Sequence, residues 1–202
     1  MFERLRRRRL DGELSDAELH RAALAGNDEA MAALYRRYGG LVYRFTLQMS
    51  RNDAVAEEIT QEVFLALLTQ IDRFDAGRGT LSTWLCGIAR RQLWKYLERN
   101  EASVPFDSEK ENAEELRCPS DGPAELLLRC EAIAAVRAGM DELPPVLREV
   151  MILCSLEEMS YELVADVLEV PVGTVRSRLH RAKARLAGLL RAEMVNTERK
   201  RR

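Results

Sequence analysis

The residues best suited to chemistry in this chain are cations, and the chemistry they suit is binding rather than bond-making. Arg176, Arg178, Arg181, Lys183 and Arg185 follow one another closely, with Ser177 and His180 between them. Projected as a helix at about 100° per residue, Val175, Leu179, Ala182, Leu186, Leu189 and Leu190 share one arc. The opposite arc holds Thr174, Ser177, His180, Arg181 and Ala184, with Arg176 and Lys183 on one shoulder and Arg178 and Arg185 on the other. Small or polar residues at the centre allow close approach to a DNA major groove, and guanidinium groups at the shoulders reach phosphates or a guanine edge. The solvated face of an ordinary amphipathic helix has the same pattern, so both readings stand at this point.

A second constellation lies near mid-chain. As a helix, Leu85, Ile88, Ala89, Leu93, Tyr96 and Leu97 face inward and leave Arg90, Arg91, Trp94 and Lys95 outside. An aromatic among phosphate-binding cations suits a single strand, with stacking worth about 1–3 kcal/mol per base. The alternative is that Trp94 packs under the linker or against another helix. Catalytic signatures are missing: the sequence has no Gly-rich phosphate loop and no H-E-x-x-H, and its two histidines, His20 and His180, lie far apart. Cys86, Cys118, Cys130 and Cys154 show no C-x-x-C spacing, so the expectation is reduced thiols, with no metal and no cofactor. Cys86 and Cys154 fall in apolar helical stretches and are expected in the core.

The elements that must position these residues read as all-α. No proline occurs before Pro105, and residues 15–99 are rich in good helix formers. Ser15 followed by Glu18 has the capping-box pattern, and Asn27 caps a second helix expected to break at Gly39-Gly40. Asn52 or Asp53 caps a further helix that buries the stripe Ile59, Val63, Leu67 and Ile71. The run from Phe74 through Asp75, Gly77, Arg78 and Gly79 to Thr80 reads as a loop, and another helix starts near Ser82. Residues 100–123 gather Pro105, Pro119, Gly122 and Pro123 among acidic residues, as a linker does. Beyond them come a helix through Leu143, the Pro144-Pro145 punctuation, and helical segments over Val146 to Leu156, Ser160 to Leu168 and Val172 to about Met194. The last two, joined by a tight Glu169-Val170-Pro171 turn, have helix-turn-helix proportions. The expected organisation is a basic tail over 1–14, a first helical domain over 15–99, an acidic flexible linker over 100–123, a helix-turn-helix domain over 124–194 and a basic tail over 195–202.

Charge follows the same division. The 202 residues carry 31 Lys plus Arg and 33 Asp plus Glu, a formal net charge of -2. Residues 73–99 hold six basic and two acidic residues, and 170–202 hold ten and two, giving +4 and +8. Between them, 100–131 and 132–169 each stand at -6. A near-neutral total therefore conceals two basic surfaces separated by an acidic stretch. No apolar run approaches the roughly 18 residues of a membrane span, and Arg6 to Arg9 lead into Asp11 without a secretory apolar segment, so a cytoplasmic protein is expected.

The run Met159-Ser160-Tyr161-Glu162, followed by Val170-Pro171-Val172-Gly173-Thr174-Val175-Arg176-Ser177-Arg178-Leu179-His180-Arg181-Ala182, resembles the promoter-reading helix-turn-helix of bacterial RNA polymerase sigma factors, in their extracytoplasmic-function (ECF) group. The resemblance implies minus-35 recognition by Thr174, Arg176, Ser177, Arg178 and Arg181. Glu57-Glu58-Ile59-Thr60-Gln61-Glu62-Val63-Phe64 is similar to the family's polymerase-binding helix, which implies core-enzyme contacts for Glu58, Gln61 and Glu62. Phe74-Asp75 through Gly79, with Trp84-Leu85 and Ile88-Ala89-Arg90, resembles the segment that recognises and melts the minus-10 element. Phe74, Asp75, Arg78, Arg90, Arg91, Trp94 and Lys95 are then the expected minus-10 residues. The chain departs from the family pattern at Arg91, Lys95 and Glu98, at Leu163, and at Glu169, where a turn glycine is usual and a positive φ would strain any other residue. What the resemblance implies is a promoter-specificity subunit, not an enzyme, with core RNA polymerase, promoter DNA and an anti-sigma factor as partners. The competing reading is a stand-alone helix-turn-helix regulator that binds DNA as a dimer.

Overall fold

The computed structural model describes the backbone of residues 14–70, 74, 79–101 and 123–200, and the side chains of these except 100–101, 123–128 and 193–200. Eight α-helices and no strand are present among the described residues: α1 (Asp16–Leu24), α2 (Asp28–Ser50), α3 (Asp53–Thr69), α4 (Leu81–Glu101), α5 (Pro123–Asp141), α6 (Pro145–Met151), α7 (Tyr161–Leu168) and α8 (Val172–Lys200). Residues 1–13 of the expected tail, 102–122 of the expected linker and 201–202 of the C-terminal tail, with Asp75, Arg78, Ile71 and Cys118, lie outside the described residues.

Local chemistry accounts for most helix starts. Ser15 and Glu18 form the reciprocal capping box at α1, and Asn27 Oδ1 accepts from the Glu29 and Ala30 amides at α2. Asn52 Oδ1 accepts from Val55 N at α3, and Ser160 Oγ from Leu163 N at α7. Pro145 occupies the first position of α6, where a missing N–H leaves no intrahelical bond unmade. The expected break at Gly39-Gly40 does not form: α2 runs unbroken from Asp28 to Ser50. Gly39 is buried, and a Cβ there would stand 3.3 Å from the Tyr35 ring, so glycine suits this packed helix interior as well as a turn. The last helix likewise extends past Met194 to Lys200. The segment read as one helix from Val146 to Leu156 is α-helical to Met151 and widens into a π-helical turn over Ile152–Leu156, closed by Glu157 N to Ile152 O at 2.9 Å.

Helices α1 to α4 pack on one another around Leu19, Leu34, Phe45, Met49, Leu67, Leu85 and Leu93. Helices α5 to α8 pack around Leu143, Ile152, Leu153, Val164, Leu179 and Ala182. Fully burying each of the larger of these side chains contributes about 1.5–3 kcal/mol. The two halves also meet: α4 lies along α7, and α2 touches α6 and its π-turn, so the buried apolar residues form one continuous cluster. Ion pairs cross this seam, with Arg44 Nη2 2.5 Å from Glu157 Oε2 and Arg51 Nε 2.5 Å from Asp141 Oδ1. Arg148 ties it further. Its guanidinium donates to the carbonyls of Met140, Asp141 and Leu143, capping the end of α5, and to Met49 O at 3.4 Å near the end of α2.

Candidate nucleic-acid and polymerase interface

The turn of the helix-turn-helix is built by its backbone. Glu169 ends α7 in the left-handed region, at φ 54° and ψ 45°. Its N–H donates to Asp166 O and the Val170 N–H to Ala165 O at 3.1 Å, the paired bonds of a Schellman ending. The strain expected at this non-glycine position is therefore present. Pro171 O then accepts from Thr174 N at 2.8 Å and starts α8. Val175, Leu179 and Ala182 of α8 are buried against α6 and α7. Arg176, Ser177, His180, Arg181, Lys183 and Arg185 are exposed, and Thr174 is half-buried. Arg176 lies over the Tyr161 ring at 5.8 Å, and the Arg181 Nε donates to Ser177 O at 3.3 Å, so both guanidinium groups are held against the helix that carries them or its partner helix. Arg178, half-buried like Thr174, turns inward.

On α3 a polar ridge stands beside the buried stripe. Glu58, Gln61, Glu62 and Leu65 are exposed, Leu65 by 61%, while Ile59, Val63, Phe64 and Leu67 are buried. Thr60 is accommodated in the interior because its hydroxyl donates to Ala56 O at 2.7 Å. The foot of this ridge opens onto a groove of about 350 Å³ between α3 and α4, lined by Glu58, Glu62, Lys95, Tyr96 and Arg99.

The candidate minus-10 residues separate into two groups. Arg91 and Lys95 are exposed on α4 as expected. Phe74 packs into an aromatic cluster, edge-on to His20 at 6.0 Å and tilted against Trp84 at 5.8 Å. With Thr80, Arg91, Asp166, Glu169 and Pro171 it borders a cavity of about 650 Å³ between the start of α4 and the helix-turn-helix turn. Arg90 and Trp94 do not face solvent freely. Arg90 Nε donates to Glu149 Oε2 at 2.9 Å, Trp94 Nε1 donates to the same oxygen at 3.1 Å, and Arg90 sits over the Trp94 ring at 5.9 Å. Of the two readings of Trp94, packing against another helix describes it: that helix is α6.

Glu149 is the residue that sequence reasoning passed over. Its side chain has no exposed surface, and Arg178 Nη1 stands 3.9 Å from its other oxygen. The available signal was its place three and four residues before Ile152 and Leu153, an acid on an apolar arc. The two cysteines expected in the core divide: Cys86 is buried, its thiol pushed up to about 12 by desolvation with a further push from Glu157, whereas Cys154 is half-buried and raised by desolvation.

The surfaces so arranged are a polar ridge on one helical half and an exposed basic face on the other. Residues 34–103 match the family described as Sigma-70 region 2, and residues 133–186 match Sigma-70, region 4. The chain is 30% identical over 172 residues to the ECF RNA polymerase sigma factor SigW of Bacillus subtilis, which covers 82% of this chain and 91% of SigW. It is also 30% identical over 175 residues to the ECF sigma factor SigE of Mycolicibacterium smegmatis, covering 87% of this chain and spanning 65% of that longer relative. Among solved structures, CnrH in complex with the cytosolic domain of CnrY superposes with a TM-score of 0.63 at 26% identity, over 86% of this chain and 96% of that one. The chain belongs to the ECF group of the sigma-70 family, whose members are transcription-initiation factors and not enzymes.

Proposed function

We propose that the chain docks on core RNA polymerase through Glu58, Gln61 and Glu62, engages the minus-10 element through Phe74, Asp75, Arg78, Arg90, Arg91, Trp94 and Lys95, and reads the minus-35 element through Thr174, Arg176, Ser177, Arg178 and Arg181. The observation that carries this reading is the α8 face: Val175, Leu179 and Ala182 are buried beneath it, and Arg176, Ser177 and Arg181 stand exposed above. Major-groove reading needs such a rigidly backed helix with adaptable donors on its outer side. Asp75 and Arg78, outside the described residues, belong to the set by motif alone.

The division of labour follows from the two helical halves, which we assign to residues 15–99 and 124–194 with 100–123 as their connector. Two separate DNA contacts held by one polymerase gain from effective concentration, so neither needs high affinity alone. Among the described residues no helix is long and apolar enough to cross a membrane. The factor works in the cytoplasm, where polymerase and promoters are, under control of an anti-sigma protein. The relative CnrH was solved with the cytosolic domain of a second protein, CnrY, which supports a protein inhibitor of this kind.

The deciding experiment adds the purified chain to sigma-free core polymerase on a genomic template library and maps transcript 5′ ends. Promoter-specific starts that share upstream and minus-10 sequences are expected. Silence in the absence of any inhibitor, together with tight operator binding by a dimer of the chain alone, would overturn the assignment in favour of a stand-alone regulator.

A further inference from the structure

An arginine reads a guanine with two coplanar N–H groups at the edge of its guanidinium, so the place and plane of that group must be set before the edge can be used. Several rotatable bonds separate the group from its helix, and an unsupported arginine side chain leaves both unset. The arginines assigned above to promoter DNA are held in different ways. Arg90 and Arg178 direct N–H groups to the Glu149 carboxylate, and Arg181 donates its Nε to Ser177 O at 3.3 Å, so each engages donors within the chain. Arg176 is held without a hydrogen bond. Its Cζ lies over the Tyr161 ring, 5.8 Å from the centroid, and among the described residues no acceptor takes its N–H groups. The contact uses the charge of the guanidinium and leaves its five donors for a partner.

Tyr161 is well placed for this role. It is the first residue of α7, whose start is fixed by Ser160 Oγ accepting from Leu163 N and whose inner side buries Val164, Ala165, Val167 and Leu168. The ending at Glu169 and the bond from Thr174 N to Pro171 O set the turn into α8. Val175 and Leu179, which flank Arg176 in sequence, are buried. Ring and guanidinium are thus carried by two helices of fixed mutual placement. The ring itself stays 37% exposed, so burial is the smaller part of what it contributes.

We infer that Tyr161 is a positioning residue for promoter reading: its ring holds the Arg176 guanidinium in place beside α8, so that Arg176 meets a guanine edge with its side chain already ordered. The inference rests on the assignment of Arg176 to the minus-35 element. Ordering the side chain beforehand removes that cost from the bound state. It also sharpens discrimination. A guanidinium kept on the ring does not swing to a neighbouring phosphate when guanine is replaced, so its donors stay unpaired and the wrong base is rejected. Tyr161 therefore sets the preference at the base pair that Arg176 reads, while the exposed Ser177 and Arg181 keep theirs.

The test uses the full chain assembled with core polymerase on promoter templates whose upstream element is randomised. Sequencing of bound and unbound templates gives the preference at each base pair, and thermal unfolding followed by circular dichroism checks that each variant folds. Arg176→Ala is expected to erase a guanine preference at one position. Tyr161→Leu should weaken the preference at that same position about threefold, the scale of an exposed cation–π contact, and leave the other positions unchanged. Tyr161→Phe and Tyr161→Trp, which keep an aromatic face, should retain it. In the Arg176→Ala background, Tyr161→Leu should have no further effect there. A loss spread evenly over the element, an unchanged preference in folded Tyr161→Leu, or a loss in Tyr161→Phe equal to that in Tyr161→Leu would overturn the positioning role. If Tyr161→Leu fails to fold, Tyr161→Gln set against Tyr161→Phe decides the matter. The two readings fail separately. Should Arg176→Ala leave every position unchanged, the minus-35 assignment of Arg176 falls; should it erase one position that Tyr161→Leu does not touch, the role of Tyr161 alone falls.

Discussion

Glu169 shows how a single residue records what its position demands. At φ 54° it holds a conformation that costs a residue with a Cβ about 1–2 kcal/mol, while glycine pays its own smaller entropic penalty there. Glu169→Gly should therefore stabilise the chain by about 1 kcal/mol, raising the melting temperature by about 2–4 °C, as read by thermal unfolding. His20 makes a second prediction. It is buried, its Nε2 has no hydrogen-bond partner among the described residues, and desolvation holds its pKa below the ordinary 6.5. A proton then binds the unfolded chain more readily than the folded one. Stability is full above 6.5 and is lost as pH falls below it, until the depressed folded-state value is passed. The urea midpoint should fall between about pH 7 and pH 5, and His20→Gln should flatten that slope. At this scale the sequence is legible where an interaction is local. Ser15, Asn27, Asn52 and Ser160 cap the helices that their neighbours begin, and the strain at Glu169 is foreshadowed by its place in the turn. Glu149 and Arg148 were not legible, because their partners lie up to 99 residues away and only packing brings them together.

At the scale of the element, the buried stripe of α3 and the outer face of α8 were readable because helical periodicity fixes which residues share a side. Periodicity does not say what covers that side, and Arg90 and Trp94, read as outward-facing, are covered by α6. Nor does it say where a helix stops. Gly39-Gly40 looks like punctuation in isolation, yet tertiary packing along α2 carries the helix through it. The ridge yields a prediction of separable roles. Glu62 is exposed, so Glu62→Ala should change stability by no more than about 0.5 kcal/mol. It should nonetheless reduce co-elution with core polymerase severalfold and leave binding to minus-35 duplex unchanged. Arg176→Ala should do the converse, reducing discrimination of the upstream element by about 1–3 kcal/mol with polymerase co-elution intact. A variant that lost both activities at once would show that the two helices do not act separately.

For the whole molecule, the decisive fact is that the apolar interiors of the two halves join across the seam. A shared interior couples their unfolding, so calorimetry of the wild-type chain should show one transition. Glu149→Gln should resolve it into two, each keeping the helix content of its own half. A single unaltered peak in that variant would mean that the shared apolar contacts, not the ionic centre, set the cooperativity. Segmental charge gave the two basic surfaces in advance, +4 and +8 about an acidic middle. What it could not give is that a residue of the acidic middle, Glu149, closes onto both.

The burial of that one carboxylate also bears on a competition among targets. A chromosome presents on the order of 10⁶–10⁹ non-specific sites, and any protein that displays all its cations is largely absorbed by them. Arg90 and Arg178, drawn to Glu149, are two cations fewer displayed on the outer surface for such sites to absorb.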